Sequence, residues 1–190
     1  MSTILLNTDG LCLRRFTNDD LDSLFGLEGD PEVMKHINGG IPQTRDEIRE
    51  KILPSYISGH DQGTEFGYWA ADDRETGEFV GWFLLAPYRE SEGEIELAYR
   101  LIRSVWGQGL ATEGSLALLR HGFTSLNIPR FVATAFKANV ASLRVLEKAG
   151  LHHEEDFLYP EEILVGWSEE RRRGVKYAAN REAWLAQHPS

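Results

Sequence analysis

The sequence has a single cysteine among its 190 residues and contains no long apolar run. One cysteine excludes a disulfide within the chain. Because Cys12 lies between two leucines in a strand-like run, we expect a buried, inert thiol there. Every apolar stretch falls short of the roughly 18 residues that a membrane span requires, and the N-terminus lacks the basic and apolar segments of a signal peptide. We therefore expect a cytoplasmic protein without a membrane partner.

Positive charge is also scarce, since 20 Lys and Arg face 30 Asp and Glu, for a formal net charge of −10. An acidic surface repels phosphate backbones, so we expect no nucleic-acid partner. The same charge weakly favours a cationic acceptor such as an amine. The 6 histidines show no paired spacing, and the adjacent His152 and His153 would point to opposite faces of a strand, so we expect no metal site.

Two common phosphate-binding motifs are missing as well. The chain has no Gly-x-x-x-x-Gly-Lys-Ser/Thr and no opening Gly-x-Gly-x-x-Gly. A nucleoside-triphosphate or dinucleotide enzyme is therefore disfavoured. With 42% hydrophobic and 26% charged residues, the composition fits one globular domain, which we expect to span 1–190.

Hydrophobic periodicity predicts a mixture of strands and helices, with an α/β fold class. The predicted strands are 11–16, 66–71, 79–85, 94–101, 131–136, 151–157 and 174–178. The predicted helices follow the caps at Thr17, Asp30 and Thr44, and then cover 111–126, 139–148 and 181–187. Because a helix connects the strands at 94–101 and 131–136, a right-handed crossover should make these two strands parallel.

Alternation along 94–101 divides this strand into two faces. One face carries the apolar side chains of Ile95, Leu97, Tyr99 and Leu101, and the other carries Glu94, Glu96, Ala98 and Arg100. We expect the first face to pack in the core and the second face to meet a ligand.

The turn between that strand and the next helix is the most informative stretch. Gly107 and Gly109 let the backbone approach a ligand closely, and the amides of 108–112 are the unpaired donors of a helix start. Such a turn binds a diphosphate without a lysine. The same spacing also occurs in plain tight connections, so spacing alone leaves that alternative open.

Three motifs occur in order along the chain: the strand at 94–101, the turn at 106–113 and the capped helix at 139–150. Together they resemble the GNAT superfamily of N-acetyltransferases and, within it, the ribosomal-protein N-terminal acetyltransferase (RimJ/RimL-like) branch. The resemblance extends from Leu11 to Tyr177. It implies a single mixed, mostly antiparallel sheet flanked by helices, in which a parallel strand pair parts to form a V-shaped cofactor cleft.

The resemblance also implies acetyl-CoA as the donor substrate. The family's phosphate loop falls on 106–111, with Trp106 where many members have Gln or Arg. The residues expected to contact acetyl-CoA come from the strand end, the loop and the helix cap: Leu101, Ile102, Arg103, Trp106, Gly107, Gln108, Gly109, Leu110, Ala111, Thr112 and Asn139. Asn139 fits a plain helix cap equally well, and the two roles are compatible.

Candidate catalytic residues are fewer. An alkylamine is almost wholly protonated at pH 7, so its attack on a thioester needs a base or a water chain. Glu96 is the leading candidate and Glu94 the second, the alternative being surface glutamates in cross-strand pairs. Leu146 replaces the tyrosine that many superfamily members use to protonate the leaving thiolate. Ser142 is then the nearby hydroxyl that could assist, although a helix serine needs no special role.

The sequence therefore predicts an N-acetyltransferase in which a primary amine, of a protein N-terminus or a small molecule, attacks acetyl-CoA directly. We expect the acceptor pocket from 34–40, which includes His36, and from the final strands. The alternative is a non-catalytic acetyl-CoA-binding or regulatory domain, which would bind acetyl-CoA without releasing CoA when an amine is supplied. A homodimer is compatible with both.

Overall fold

A computed structural model describes residues 3–59 and 65–189 of the chain. Its strands are β1 (Ile4–Asn7), β2 (Leu11–Arg15), β3 (Gly67–Asp73), β4 (Phe79–Pro87), β5 (Ile95–Leu101), β6 (Arg130–Phe136), β7 (His152–Leu158) and β8 (Arg173–Asn180). They form one 8-stranded sheet in the order β1-β2-β3-β4-β5-β6-β8-β7. In this sheet β5 and β6 run parallel, whereas the other neighbouring pairs are antiparallel. The predicted mixed α/β architecture with one parallel pair is confirmed.

The predicted caps at Thr17, Asp30 and Thr44 each precede a helical turn. The helices are α1 (Leu21–Glu28), α2 (Pro31–Met34), α3 (Arg45–Glu47), α4 (Leu53–Ser58), α5 (Leu110–Thr124), α6 (Val140–Lys148), α7 (Glu169–Arg172) and α8 (Arg181–Gln187). Thr17 and Thr44 form complete capping boxes, and Asp30 caps α2 ahead of a proline at its first turn. A π-helical turn, Ile48–Ile52, joins α3 to α4. None of these helices is long and apolar enough to cross a bilayer in the part of the chain that the structure describes.

Two apolar clusters cover the two faces of the sheet. On one face, Phe83 and Leu97 pack with Phe123 of α5 and Trp184 of α8. On the other face, the cluster includes Leu24 of α1, Ile48, Tyr56 of α4 and Trp82. Because β4 is buried on both faces, Val80 to Leu85 is a continuous apolar run rather than an alternating one. Burial of each such large side chain stabilises the fold by about 1.5–3 kcal/mol.

The parallel pair is short. β5 and β6 pair only at Ile95↔Phe131 and Glu96↔Val132, and the two strands separate beyond this point. The helix α5 connects them, as the crossover rule predicts. The separation leaves an opening between the C-terminal half of β5 and β6, where a ligand can reach backbone groups that a closed sheet would pair.

Candidate active site

A cleft of about 280 Å³ occupies the opening between β5 and β6. Its walls come from both strands, from the start of α6 and from the loops that follow α2 and β7. The lining residues are His36, Ile37, Trp82, Leu97, Ala98, Tyr99, Arg100, Ala133, Thr134, Ala135, Phe136, Asn139, Ser142, Leu146, Tyr159, Ile163 and Leu164. The predicted site residues Asn139 and Ser142 therefore lie together on one wall.

The glycine turn lies at the far end of β5. Gly107 has a φ of +77° and Gly109 a φ of +90°, a left-handed conformation that disfavours any side chain. A Cβ added to either glycine would meet no atom within 4 Å, so the space beside the turn is open. This is the geometry that the sequence predicted for a ligand-binding turn.

Unpaired amides follow this turn. The Gln108 amide was predicted to be unpaired, but it donates to the carbonyl oxygen of Val105 at 3.4 Å, because the chain forms a tight turn over 105–108. The Glu113 amide donates to the carbonyl oxygen of Gly109 at 3.0 Å. Between them, the amides of Leu110, Ala111 and Thr112 have no acceptor among the described residues. They form the N-terminus of the 15-residue helix α5, whose dipole favours an anion at this end.

Contacts with the rest of the fold hold the start of α5 in place. The Glu113 carboxylate accepts a hydrogen bond of 2.7 Å from the amide of Gly10, in the turn between β1 and β2. Leu110 packs in the core with 9% of its surface exposed. The helix end that carries the unpaired amides is therefore anchored to the β1–β2 turn and to the core.

At the end of β5, internal contacts already occupy some of the backbone expected to bind the cofactor. The indole nitrogen of the half-exposed Trp106 donates to the carbonyl oxygen of Leu101 at 2.8 Å. The Ile102 amide donates to Val80 at 2.9 Å, and its carbonyl oxygen accepts from Val105 at 3.3 Å. Since Ile102 pairs with β4, strand alternation turns the backbone groups of Leu101 and Tyr99 toward the cleft.

Arg103 lies outside this hydrogen-bonding pattern. Its side chain is 62% exposed, and its Nε lies 4.0 Å from the Asp30 carboxylate at the start of α2. The guanidinium thus sits at the protein surface, near both the strand end and the helical layer.

Asn139 lies both at the start of α6 and on the wall of the cleft. Its Oδ1 accepts a hydrogen bond of 3.2 Å from the Ser142 amide and so caps α6. Its own amide donates to Phe136 at 2.8 Å, which fixes the residue at the end of β6. The side chain also lines the cleft.

Ser142 contacts a residue that sequence reasoning placed only in the core. The Tyr99 hydroxyl and Ser142 Oγ are 2.9 Å apart, and both residues line the cleft. The Tyr99 ring packs near Phe83, with ring centroids 5.9 Å apart, so the core face was predicted correctly for the ring. The hydroxyl nevertheless reaches the cleft, as an amphipathic tyrosine at the edge of a core can do.

Burial raises the pKa of Tyr99 to about 12, an effect that its hydrogen bond with Ser142 partly opposes. Leu146, one turn beyond Ser142 on α6, is buried with 2% exposure and also lines the cleft. Tyr99 therefore supplies this wall with a phenol that stays protonated at neutral pH.

The two candidate bases differ in their surroundings. Burial raises the pKa of Glu96, and the nearby charges have smaller effects: Arg89 lowers this pKa and Glu90 raises it. Within the described residues no hydrogen bond reaches the Glu96 carboxylate. Glu94 accepts hydrogen bonds from Arg130 at 2.6 Å and from Lys176 at 3.0 Å. Burial opposes the effect of these two cations, but together they lower the pKa of Glu94. Glu96 is thus the stronger base.

Glu96 lies at the closed end of the opening. It is in the last paired register, opposite Val132, and shares a strand face with Ala98 and Arg100, which line the cleft. Burial is the largest cause that raises the pKa values of Tyr68, Tyr88 and Tyr159, and the negative charge of Glu96 contributes to each of the three shifts.

Charged runs near the C-terminus are paired locally. Glu154 binds Arg130 and lies 3.5 Å from Lys176, while Asp156 binds Lys137 and His153. The basic run at 171–173 is engaged as well: Arg171 lies 4.2 Å from the Trp167 ring, Arg172 donates to the Tyr159 carbonyl, and Arg173 pairs with Glu170. These pairs lie at the edge of the sheet and in the loop after β7.

The segment after α2 closes one side of the cleft. Gly39 has a φ of +88°, and a Cβ there would lie 2.8 Å from the Trp167 ring, so this glycine permits a close contact between two loops. His36 lines the cleft, and burial, followed by the charge of Lys35, lowers its pKa. Across residues 3–59 and 65–189, His, Cys, Asp and Glu form no group of three or more that could hold a metal ion.

One known protein family and several known proteins resemble this chain in sequence. The sequence model of the acetyltransferase (GNAT) domain matches residues 10–152. An FsC-acetyl coenzyme A-N(2)-transacetylase of Aspergillus fumigatus is 33% identical over 175 residues, covering 86% of this chain and 71% of that protein.

Solved structures share the fold. A GNAT-family acetyltransferase from Bacillus anthracis matches with a TM-score of 0.79 at 23% identity, covering 95% of this chain and 99% of that one. A ribosomal L7/L12 α-N-protein acetyltransferase in complex with coenzyme A matches with a TM-score of 0.74 at 19% identity, covering 94% and 98%. Fold, cleft and sequence agree, and the chain belongs to the acetyltransferase (GNAT) family.

Proposed function

We propose that this protein is an N-acetyltransferase that transfers the acetyl group of acetyl-CoA to a primary amine, and that one domain spans 1–190. The observation that carries the proposal is the alignment of two features along β5. Unpaired amides at the start of α5 lie at one end of the strand, and the cleft opened by the separation of β5 and β6 lies beside it. This arrangement suits a ligand with a diphosphate and a long polar arm.

The residues present fit acetyl-CoA. The amides of Leu110, Ala111 and Thr112 would hold the diphosphate, with open space beside Gly107 and Gly109. The cleft-facing backbone of Tyr99 and the amide of Leu101 would pair with the arm, as a strand edge does with a peptide, whereas the Leu101 carbonyl oxygen is already bound by Trp106. The acetyl thioester would then lie near the closed end of the cleft.

In the proposed reaction, Glu96 accepts a proton from the ammonium form of the acceptor, directly or through water, and the free amine attacks the thioester carbon. A buried carboxylate with a raised pKa is a better base than an exposed one. An α-amino group, with a pKa of about 7.7–8.0, needs less assistance than an alkylamine at about 10.4. The relative from Aspergillus fumigatus, which is named for N(2)-transacetylation with acetyl coenzyme A, supports a nitrogen acceptor.

The motifs at 94–101, 106–113 and 139–150 support placing the chain near the ribosomal-protein N-terminal acetyltransferases. Protein N-termini therefore belong among the acceptors to be tested, beside small amines.

Thermal unfolding with and without acetyl-CoA tests the donor site. A ligand at about 100 times its Kd adds about 2.7 kcal/mol of stability, which corresponds to roughly 5–10 °C in Tm for a chain of this length. Amines and N-terminal peptides are then screened for CoA release. A Tm shift with CoA release supports the transferase, whereas a shift without release for any acceptor supports the non-catalytic binding domain. No shift at millimolar acetyl-CoA would overturn both.

A further inference from the structure

The hydroxyl pair on the cleft wall has no part in the proposed proton removal from the amine. Tyr99 Oη lies 2.9 Å from Ser142 Oγ and 3.3 Å from the Ser142 carbonyl oxygen. The two residues come from different elements, β5 and α6, and both line the cleft. This juxtaposition places a phenol beside the route that the arm of acetyl-CoA would follow along β5.

The phenol is held in place by its surroundings. Its ring packs against the apolar cluster that contains Phe83 and Leu97, and Leu146 fills the position one turn further along α6. Because either oxygen can be the donor, Ser142 Oγ can accept a hydrogen bond from the phenol, or donate one to it and leave the phenol O–H free to point into the cleft. The Ser142 amide is itself fixed by the Asn139 cap.

We propose that the Tyr99 hydroxyl, oriented by Ser142, donates a hydrogen bond to the sulfur of CoA as the C–S bond breaks. The inference rests on the proposed function. In the step itself, the amine nitrogen has already formed the new C–N bond, the C–S bond breaks, and both of its electrons leave with the sulfur. The amine protons pass to Glu96 and water, and water later protonates the released thiolate.

A hydrogen bond is the chemistry that fits this phenol, rather than transfer of its proton. Burial raises the pKa of Tyr99 to about 12, whereas a thiol has a pKa near 8.5. Full transfer of the proton from Tyr99 to the thiolate would therefore be unfavourable by about three thousandfold. A neutral donor in a buried site still stabilises the negative charge that develops on the sulfur.

The pKa of bound CoA measures this contact without turnover. The thiolate of CoA is followed by its ultraviolet absorbance during a pH titration of the CoA complex. In Tyr99→Phe, we expect the pKa of the bound thiol to rise by about one to two units, because one hydrogen bond to a charged acceptor is lost. The other titratable or charged groups that line the cleft are His36, Arg100 and Tyr159, and they are the same in both proteins.

Kinetics give a second measure. We expect kcat of Tyr99→Phe to fall by roughly 10- to 100-fold with the KM for acetyl-CoA nearly unchanged, since a thioester sulfur in the ground state is a weak acceptor. Ser142→Ala should also raise the pKa of the bound thiol and lower kcat, but by smaller amounts, because the phenol remains and loses only its orientation. Tyr177→Phe is the matched control: it removes a partly buried hydroxyl that binds Glu147 at 3.1 Å and does not line the cleft.

The outcomes are distinct. If wild type and Tyr99→Phe bind CoA with the same thiol pKa, the inference is wrong while the proposed function stands. An equal fall in kcat for Tyr177→Phe would also overturn it, because the loss would then follow from general packing. Should Tyr99→Phe fail to fold, Ser142→Ala with an unchanged thiol pKa would decide against the contact. If the wild type binds no CoA, both the proposed function and the inference fail.

Discussion

Glu28 at the end of α1 binds Arg100 of β5 in a buried ion pair, in which the side chains are 3% and 12% exposed. The Oε1 atom of Glu28 also accepts hydrogen bonds of 3.2 Å from the Tyr56 hydroxyl and from the indole nitrogen of Trp82. The pair connects the helical layer to the strand that lines the cleft. Arg100 itself lines that cleft, so its position depends on Glu28.

Removing one partner should therefore be costly. We expect Glu28→Ala to lower the free energy of unfolding by about 3–5 kcal/mol, because it leaves Arg100 buried without a counter-charge. Urea denaturation measures the change. Asp22→Ala is the control: Asp22 and its partner Arg45 are 82% and 44% exposed, and we expect a loss below about 1 kcal/mol. Similar losses in both variants would show that the Glu28 pair contributes no more than a surface pair.

Glu28 also shows where sequence reasoning ends. Nothing local distinguishes it among 30 acidic residues, since its burial follows from the way α1 packs on the sheet. By contrast, the capping box at Thr44, the cap at Asn139 and the glycine turn are specified by neighbouring residues and were predicted. The parallel pair followed from chain connectivity.

Other features needed tertiary contacts to appear. Strand β1 was not predicted, because its four residues gain their structure by pairing with β2 at the sheet edge. The hydroxyl of Tyr99 was missed because its strand face is apolar, and alternation assigns the whole residue to one side. The difference between Glu94 and Glu96 likewise depends on Arg130 and Lys176, which are distant in sequence.

The glycine turn offers a matched pair of substitutions. Gly109 has a φ of +90° and Gly77, in the turn between β3 and β4, has a φ of +72°, and a Cβ at either position meets no atom within 4 Å. Gly109→Val and Gly77→Val should each cost about 1–2 kcal/mol of stability from backbone strain alone. We expect only Gly109→Val to lose the Tm increase caused by acetyl-CoA, because it distorts the cradle. Equal acetyl-CoA affinity in the two variants would rule out the turn as the phosphate site.

Glu96→Gln tests the base through the pH dependence of turnover. Below the pKa of the acceptor amine, the free amine decreases tenfold per pH unit, so an enzyme without a base loses rate at that slope. The wild type should stay level until the pH approaches the raised pKa of Glu96, where its own base is protonated. The ratio of wild-type to variant kcat/KM should therefore grow as the pH falls from about 8 to about 6.

Glu94→Gln is the control for that experiment, since Glu94 precedes the same strand but is paired with Arg130 and Lys176. Its effect on kcat/KM should be independent of pH. If the profiles of wild type and Glu96→Gln run parallel, Glu96 is not the base.

The same two variants should have opposite effects on stability. Burial raises the pKa of Glu96 in the folded state, so folding favours its protonated form, and the resulting stability is lost as the pH rises through that pKa. Glu96→Gln should thus raise Tm at pH 7, with the difference narrowing toward about pH 4. The pKa of Glu94 is lowered, so its stabilisation is present at pH 7 and lost on acidification. Glu94→Gln should lower Tm at pH 7. Thermal unfolding at several pH values measures both changes in Tm, and changes of the same sign in the two variants at pH 7 would contradict this prediction.

Asn139 can be divided into its two roles because serine is an equally good helix cap. In Asn139→Ser, an oxygen that can accept the Ser142 amide remains, but the side-chain NH2 of this cleft-lining residue is lost. We expect stability to change by only a few tenths of a kcal/mol, while Asn139→Ala loses about 0.5–2 kcal/mol with the cap. The affinity of Asn139→Ser for acetyl-CoA should fall by roughly 2- to 12-fold, the value of one hydrogen bond. Isothermal titration calorimetry with acetyl-CoA measures this affinity. An unchanged affinity in Asn139→Ser would show that Asn139 acts only as a helix cap.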